Sequence, residues 1–264
     1  MKLSIISVVY NDAAGLLKTW LSVKPQDLSD CEYLIIDGGS DDKTLDAISS
    51  IIRESKALGV NVRYISERDG GPYDAMNKGT VLSDGEYVMY LNAGDSFIDH
   101  TVVNAIISEL AENPCDVLYG NTRAVNCGLY MDMPAGSIEE IKNHMCFCHQ
   151  SSVIRRNIML QYKFDINYKI CADYDLFLRV YLDGKVFAYS DLYWCIFSFG
   201  GLSSNVRKSL EESFDIKKSK GLESGDRYVM SYGEKIKSII RPIIPKWMMK
   251  FYLRRTGWKQ IELT

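Results

Sequence analysis

Tyr87-Val88-Met89-Tyr90-Leu91-Asn92-Ala93-Gly94-Asp95 decides the architecture. Five apolar, β-prone residues run without interruption, as a strand covered on both faces requires, and then stop at four turn-forming residues. Working back toward the N-terminus, the same arrangement recurs three times. Leu3–Val9 runs into Asn11 and Asp12, residues 33–36 run into Asp37-Gly38-Gly39-Ser40, and residues 60–65 run into the polar, glycine-rich stretch 67–73. Helical periodicity fills the intervals. Ala13–Val23 places Leu16, Leu17, Trp20 and Leu21 on one face, Thr44–Leu58 ends at Gly59 as a C-cap, and residues 73–82 form a third helix. Strand–helix alternation of this kind predicts an α/β fold with a mostly parallel central sheet flanked by helices. Ligands of such sheets bind at the carboxyl ends of the strands, where all four polar loops fall.

Toward the C-terminus the pattern is mixed. Residues 117–125 and 129–131 read as strands compatible with antiparallel pairing, 138–143 as a short helix and 174–181 as a longer one. Residues 186–189 and 193–199 read as two strands, closed by Gly200-Gly201, and from Val206 onward the chain is helical and charged. The expected organisation is a domain over residues 1–205 and a basic helical extension over 206–264.

Composition narrows the function classes. The chain has 264 residues with 47% hydrophobic and 25% charged residues and a formal net charge of -3, so the basic footprint of a nucleic-acid-binding protein is absent. Seven cysteines, odd in number and irregularly spaced, fit free thiols. Cys146, Cys148 and His149 lack the second ligand pair that a zinc clip needs. The apolar run at the N-terminus is too short for a signal peptide, and no stretch reaches the roughly 18 apolar residues of a membrane span.

Several residues carry chemistry. Asp95, on a tight loop just past a buried strand, can hold a hard divalent cation shared with a substrate diphosphate, although Asn, Gly and Asp also make ordinary turns. Asp37 ends a strand where its carboxylate can meet the donors of a base or ribose, and the two glycines after it permit close backbone approach. Asp41 and Asp42 are better explained as caps of the following helix. Asp69 and Lys78 lie in a glycine-rich segment opening a helix, an arrangement suited to anions, with Lys78 the candidate for a phosphate and a solvated surface lysine the plain alternative. Asp173 begins a helix, where a carboxylate can serve as a general base or simply cap the helix. His149 and Gln150 form a polar cluster at the start of a strand.

Seven segments, in this order, resemble family-2 glycosyltransferases of the GT-A fold. They are Ser7-Val8-Val9-Tyr10-Asn11, Ile36-Asp37-Gly38-Gly39-Ser40, Tyr73-Asp74-Ala75-Met76-Asn77-Lys78-Gly79, Leu91-Asn92-Ala93-Gly94-Asp95, His149-Gln150, Ala172-Asp173-Tyr174-Asp175 and Gly200-Gly201-Leu202-Ser203. The third and fourth look most like the bacterial subgroup that builds surface polysaccharides such as O-antigen or capsule, including colanic-acid-type fucosyltransferases. The resemblance implies an inverting transfer of a sugar from a UDP- or GDP-sugar donor to a hydroxyl. Val9, Tyr10, Asn11, Asp37, Asp69, Lys78, Asn92, Ala93 and Gly94 would bind the nucleotide sugar. Asp95 would hold Mn2+ or Mg2+, Asp173 would be the base, and His149, Gln150, Gly200 and Gly201 would line the acceptor or donor loop. Three positions depart from the family pattern. The metal motif keeps one carboxylate, Met76 stands where the family often has Arg, and Ala172 replaces the first acid of the usual Glu-Asp pair.

Residues 235–259 interleave eight Lys and Arg with bulky apolar residues, as an interfacial helix on anionic lipid would. A helix packed on the domain with a charged outer face is the alternative. The lipid reading implies a cytoplasmic protein peripheral to the inner face of the plasma membrane and a lipid-linked saccharide acceptor. Among rivals, a nucleotidyltransferase would need a basic glycine-rich loop after the first strand, and a dinucleotide oxidoreductase would need Gly-x-Gly-x-x-Gly there; both are absent. A non-catalytic nucleotide-sugar-binding or scaffold protein is the alternative from a different class.

Overall fold

Leu3–Val9 (β1) is buried at every position because both faces of its sheet are covered. In the computed structural model, which describes residues 2–198, 205–222 and 257–260, β1 pairs in parallel with Cys31–Asp37 (β2) and with Tyr87–Tyr90 (β4). β2 pairs in parallel with Val62–Ser66 (β3), giving the order β3-β2-β1-β4 with β3 at the edge. Alternate side chains serve opposite cores. Leu3, Ile5, Tyr33, Ile35, Tyr87 and Met89 pack with Trp20 of Ala13–Val23 (α1), Ile48 of Thr44–Leu58 (α2) and Ile106 of Val102–Glu112 (α4). Ile6, Val8, Leu34, Ile36 and Val88 pack on the other side with Ala75 and Met76 of Pro72–Leu82 (α3), Met159 of Arg156–Tyr162 (α5) and Leu176 of Ala172–Leu182 (α6). Each large side chain buried in this way stabilises the fold by roughly 1.5–3 kcal/mol relative to leaving it exposed.

Beyond β4 the sheet turns antiparallel. Ser152–Arg155 (β8) runs against β4, and Val117–Asn126 (β6) runs against β8 and against Leu129–Met133 (β7). Phe187–Ser198 (β9) pairs in parallel with β6 and antiparallel with Ser96–Phe97 (β5), the two-residue strand that follows Asp95. The short β5 thus ties the Asn92–Asp95 loop to the second half of the chain.

The four parallel strands and first three helices stand where the sequence places them, and Gly59 caps α2 in the left-handed region at φ 70°. Differences lie downstream. α4 and α5 are additional elements, the strand expected from His149 begins at Ser152 as β8, and the two strands expected over 186–199 are one strand. Ser190 and Asp191 look like a break in sequence, but the pairing with β6 absorbs them through register shifts around Asn121.

The expected C-terminal extension is also partly domain. Val206–Ser219 (α7) is helical, but Ile216 is fully buried in the α6 side of the core. Trp258 packs against Ala124 and Leu129, and Lys259–Gln260 (β10) pairs with β7. These two members of the basic, apolar stretch therefore belong to the domain surface; residues 223–256 lie outside the described residues, as do Gly200 and Gly201. Among the described residues, no helix is long and apolar enough to cross a membrane.

Candidate active site

A cleft of about 1310 Å³ opens at the carboxyl ends of β1, β2 and β4 and is closed on its far side by residues of the second half. A smaller cleft of about 670 Å³, lined by Lys2, Asp27, Asp30 and Asn61, lies at the opposite ends of the strands and brings no comparable set of groups together.

At one end of the large cleft stand Tyr10, 64% exposed, and the turns Gly38-Gly39 and Arg68-Asp69. A Cβ on Gly38 would lie 2.7 Å from Asp69 Oδ2, and Gly39 has φ +80° with its α-carbon side against Arg68, so the glycine pair is what lets the two turns meet. Asp69 Oδ1 accepts the Gly71 N–H at 2.8 Å while Oδ2 faces Gly38.

Asp37 and Asn11 are not among the cleft's lining residues. Asp37 is fully buried and accepts from Ser40 N (3.1 Å), Ser40 Oγ and Ser66 Oγ (2.6 Å). Asn11, in the left-handed region at φ 49°, donates its backbone N–H to Ser40 Oγ at 2.8 Å and accepts the Asp41 N–H on its side-chain Oδ1 at 2.9 Å. Both shape the loops that present Tyr10 and Gly38. Lys78 is likewise not a lining residue. Its ammonium is 3.0 Å from Glu67 and 3.8 Å from Asp74, and it donates to the Arg68 carbonyl at 2.9 Å. The cation that reaches this end of the cleft is Arg68, which the sequence reading passed over.

The middle of the cleft is the Asn92–Asp95 turn, clamped from α1. Thr19 Oγ1 donates to the Asp95 carbonyl at 2.7 Å and accepts the Gly94 N–H at 3.1 Å, while Lys18 donates to the Gly94 carbonyl at 2.6 Å. Amphipathic spacing gave no hint of these two contacts, because they concern backbone atoms 75 residues away. Asp95 is 6% exposed and accepts from Gln150 Nε2 at 3.2 Å. Burial pushes its carboxyl up to about 6, against the smaller opposing effects of His149, Gln150 and Lys18.

The far end carries Asp173, second residue of α6. It is not the N-cap residue, but its Oδ1 accepts the first-turn Tyr174 N–H at 2.9 Å and lies 3.3 Å from the Tyr73 hydroxyl, while its Oδ2 is 3.1 Å from His149 Nδ1. Tyr73 also donates to the Ile170 carbonyl at 2.6 Å, and its phenol is held well above its ordinary range by burial and by the Asp173 charge. Met145, Phe147 and Ile170 give this end an apolar wall. Burial holds the Cys146 and Cys148 thiols at about 11.

A divalent cation fits the middle of the cleft on three observations. Asp95 is a desolvated carboxylate lacking full charge compensation, and two buried atoms of lining residues, Asn92 Oδ1 and His149 Nε2, have no hydrogen-bond partner. The lining also holds five aspartates (Asp12, Asp41, Asp69, Asp95, Asp173) against Arg68 and Lys169, a balance that disfavours a bare diphosphate. Among the described residues no group of three or more His, Cys, Asp or Glu forms a closed metal cage, so the fit is to a cation shared with a ligand.

Comparison with known proteins places this geometry. The family model described as Glycosyl transferase family 2 matches residues 4–179. A PGL/p-HBAD biosynthesis glycosyltransferase of Mycobacterium bovis is 30% identical over 209 residues, 77% of this chain and 79% of that protein. The amylovoran biosynthesis glycosyltransferase AmsB of Erwinia amylovora is 25% identical over 192 residues, 67% of this chain and 62% of that one. Among solved structures, S. aureus TarS 1-349 in complex with UDP superposes with a TM-score of 0.64 at 18% identity, covering 91% of this chain and 70% of that one; the chain spans 42% of the longer TarS structure. A mannosyltransferase of Pyrobaculum calidifontis, in complex with GDP-Man and Mn2+, superposes with a TM-score of 0.62 at 13% identity, covering 86% of this chain and 66% of that one. These likenesses to solved structures carry the GT-A fold.

Proposed function

We infer the reaction from one premise: the chain belongs to glycosyl transferase family 2. The single observation that carries the finer reading is the convergence of Asp95 and the Asp173–His149–Tyr73 cluster on one cleft. The proposed reaction moves a sugar from a nucleoside diphosphate sugar to an acceptor hydroxyl with inversion. Tyr10, Arg68 and Asp69 would hold the nucleotide, with Tyr10 offering a ring face and Asp69 an acceptor for a base or ribose donor. Val9, Asn92, Ala93 and Gly94 would lie along the ribose and diphosphate. The UDP and GDP-Man bound by the structural neighbours support a nucleotide-sugar donor.

Asp173 takes the proton of the acceptor hydroxyl as its oxygen bonds to the anomeric carbon. The bond from that carbon to the diphosphate oxygen breaks, and the nucleoside diphosphate leaves with the electron pair. His149 orients the Asp173 carboxylate through Oδ2, and the Tyr174 N–H and the Tyr73 hydroxyl meet it at Oδ1. Mn2+ or Mg2+, when bound through Asp95 with Asn92 or His149, would offset the charge gathering on the departing diphosphate. Gln150 keeps the Asp95 carboxylate oriented.

The acceptor we propose is a lipid-linked saccharide in bacterial surface-polysaccharide synthesis, met at the inner face of the plasma membrane. The apolar wall of Met145, Phe147 and Ile170 and the basic, apolar composition of residues 235–259 support it.

The test is thermal stabilisation by UDP and by GDP, each with and without Mn2+. A ligand that binds only the native state raises the melting temperature. One nucleotide is expected to shift it, and only with metal. A flat response to both would remove the donor assignment and favour a scaffold protein.

A further inference from the structure

Glu212 lies on α7, outside the cleft, and no step of the proposed reaction uses it. Its side chain is nearly buried, and its two oxygens accept three consecutive backbone N–H groups. Lys169 donates to Oε1 at 3.0 Å, and Ile170 and Cys171 donate to Oε2 at 2.8 and 2.9 Å. Burying a carboxylate is unfavourable unless its charge is met. Here it is met by a nest of amides at the positive end of α6, in charge-assisted bonds stronger than neutral ones. Lys208 is the nearest cation, 3.9 Å from Oε1. α6 has no side-chain cap of its own at Cys171, and Glu212, from a different helix, instead binds the three amides of the segment that leads into it.

The residues it holds are those that set the far end of the cleft. Lys169 and Ile170 line the cleft, and Asp173 follows Cys171 by two residues. The Ile170 carbonyl anchors the Tyr73 hydroxyl beside Asp173. α7 is fastened to the same place by Cys171 Sγ against Ser209 Oγ at 3.3 Å and by Lys220 at 3.6 Å from Asp175. We propose that Glu212 is a positioning residue for Asp173, fixing the entry into α6 so that the carboxylate stays between His149 and Tyr73. This rests on reading Asp173 as the base of the transfer.

The test needs no substrate. The chain has three histidines, His100, His144 and His149, so the His149 imidazole can be assigned by NMR with a His149→Gln variant. Glu212→Gln keeps one acceptor oxygen and loses the other together with the charge; Glu212→Ala is the harsher second variant. Amide hydrogen exchange over residues 169–175 is expected to speed up tenfold or more in Glu212→Gln, with β1 and β2 unchanged. The His149 nitrogen signals, recorded at pH 8, are expected to leave the Nδ1–H tautomer for an averaged mixture, as in an Asp173→Asn reference. Wild-type exchange and wild-type imidazole signals in Glu212→Gln would overturn the proposal. So would acceleration spread equally over β1 and β2, since Glu212 would then hold the fold and not the base. Full transfer activity in Asp173→Asn would remove the base assignment while leaving the Glu212–His149 coupling intact. An inactive Asp173→Asn beside a Glu212→Gln with unchanged signals would remove the coupling alone.

Discussion

The two halves of the molecule satisfy their polar groups over very different distances. In the parallel half, loops at the strand ends bond to neighbouring loops of the same four-strand unit: Asp37 with Ser40 and Ser66, Asn11 with Ser40 and Asp41. In the mixed half, polar groups of the cleft reach back across the chain, Gln150 to Asp95 and Ile170 and Asp173 to Tyr73, and outside the cleft Glu212 spans more than 40 residues to the entry of α6. The first half is a prebuilt rim that would hold a nucleotide. The second brings proton-handling groups to that rim only when the whole chain is folded. Binding and turnover should therefore separate cleanly under substitution, and each experiment below tests that division.

The largest effect is expected at Asp173. Replacing it with Asn removes the proton acceptor and leaves its volume, so turnover of the donor identified by the thermal test should fall by about 1000-fold, within the range for general bases. The nucleotide-induced rise in melting temperature should stay at its wild-type value. A parallel loss of that shift would mean that the mixed half also carries nucleotide binding, and the division would fail.

Asp95 sits where the halves meet, through β5, and should show both behaviours. Its folded-state affinity for a proton is raised from the ordinary value of 3.8 to about 6, so the ionised form is disfavoured in the native state. The sign follows. Below about pH 4 the group is protonated in both states and contributes nothing. As pH rises through 6 the native state loses stability relative to the unfolded chain, by about 3 kcal/mol at most. Asp95→Asn should accordingly stabilise the metal-free protein at pH 8, with the gain vanishing by pH 4, as read from denaturant midpoints across pH. The same variant should lose the metal-dependent part of the nucleotide shift. A destabilised Asp95→Asn at pH 8 would show that Gln150, His149 and Lys18 already compensate the charge.

Arg68 tests the rim alone. Arg68→Ala should weaken nucleotide binding roughly tenfold, about 1.4 kcal/mol, with turnover at saturating donor little changed. A drop in saturated turnover with unchanged binding would move Arg68 from the nucleotide to the reacting centre.

The same contrast explains what could be read in the sequence. The parallel half was legible because its strands carry dense apolar runs and α2 ends at Gly59, signals that need no partner. Which polar loops belong to the cleft was legible for the same reason, since strand ends fix them. What each side chain does there was less so. Asp37 reads as a ligand for a base, and nothing in sequence reveals that Ser66, 29 residues on, donates to its carboxylate. Arg68 was hidden because its approach depends on Gly39 admitting it from another turn. Glu212 reads as one charge among many on α7, and only the bend at 169–171 gathers three amides onto it. Long-range polar partnership leaves no period in a sequence.

Lys78 offers the smallest and sharpest check, because sequence and structure disagree about it. A glycine-rich turn opening a helix makes it a phosphate candidate, yet its ammonium is engaged by Glu67 and Asp74 and its proton affinity is raised, chiefly by the hydrogen bond to Glu67. Pairs of this exposed kind contribute about 0.2–1 kcal/mol. Lys78→Met keeps the aliphatic stem and removes the charge, so it should lower stability by under about 1 kcal/mol and leave the nucleotide shift and its salt dependence unchanged. Reorientation on binding is the one way the lysine could serve the phosphate. It would have to leave two carboxylates that would then stand uncompensated beside Asp69, at the rim where the diphosphate charge arrives. That cost falls on the bound state, and for this reason the cation assigned to the rim is Arg68, which lines the cleft. A nucleotide shift that collapses in Lys78→Met but survives in Arg68→Ala would reverse the assignment.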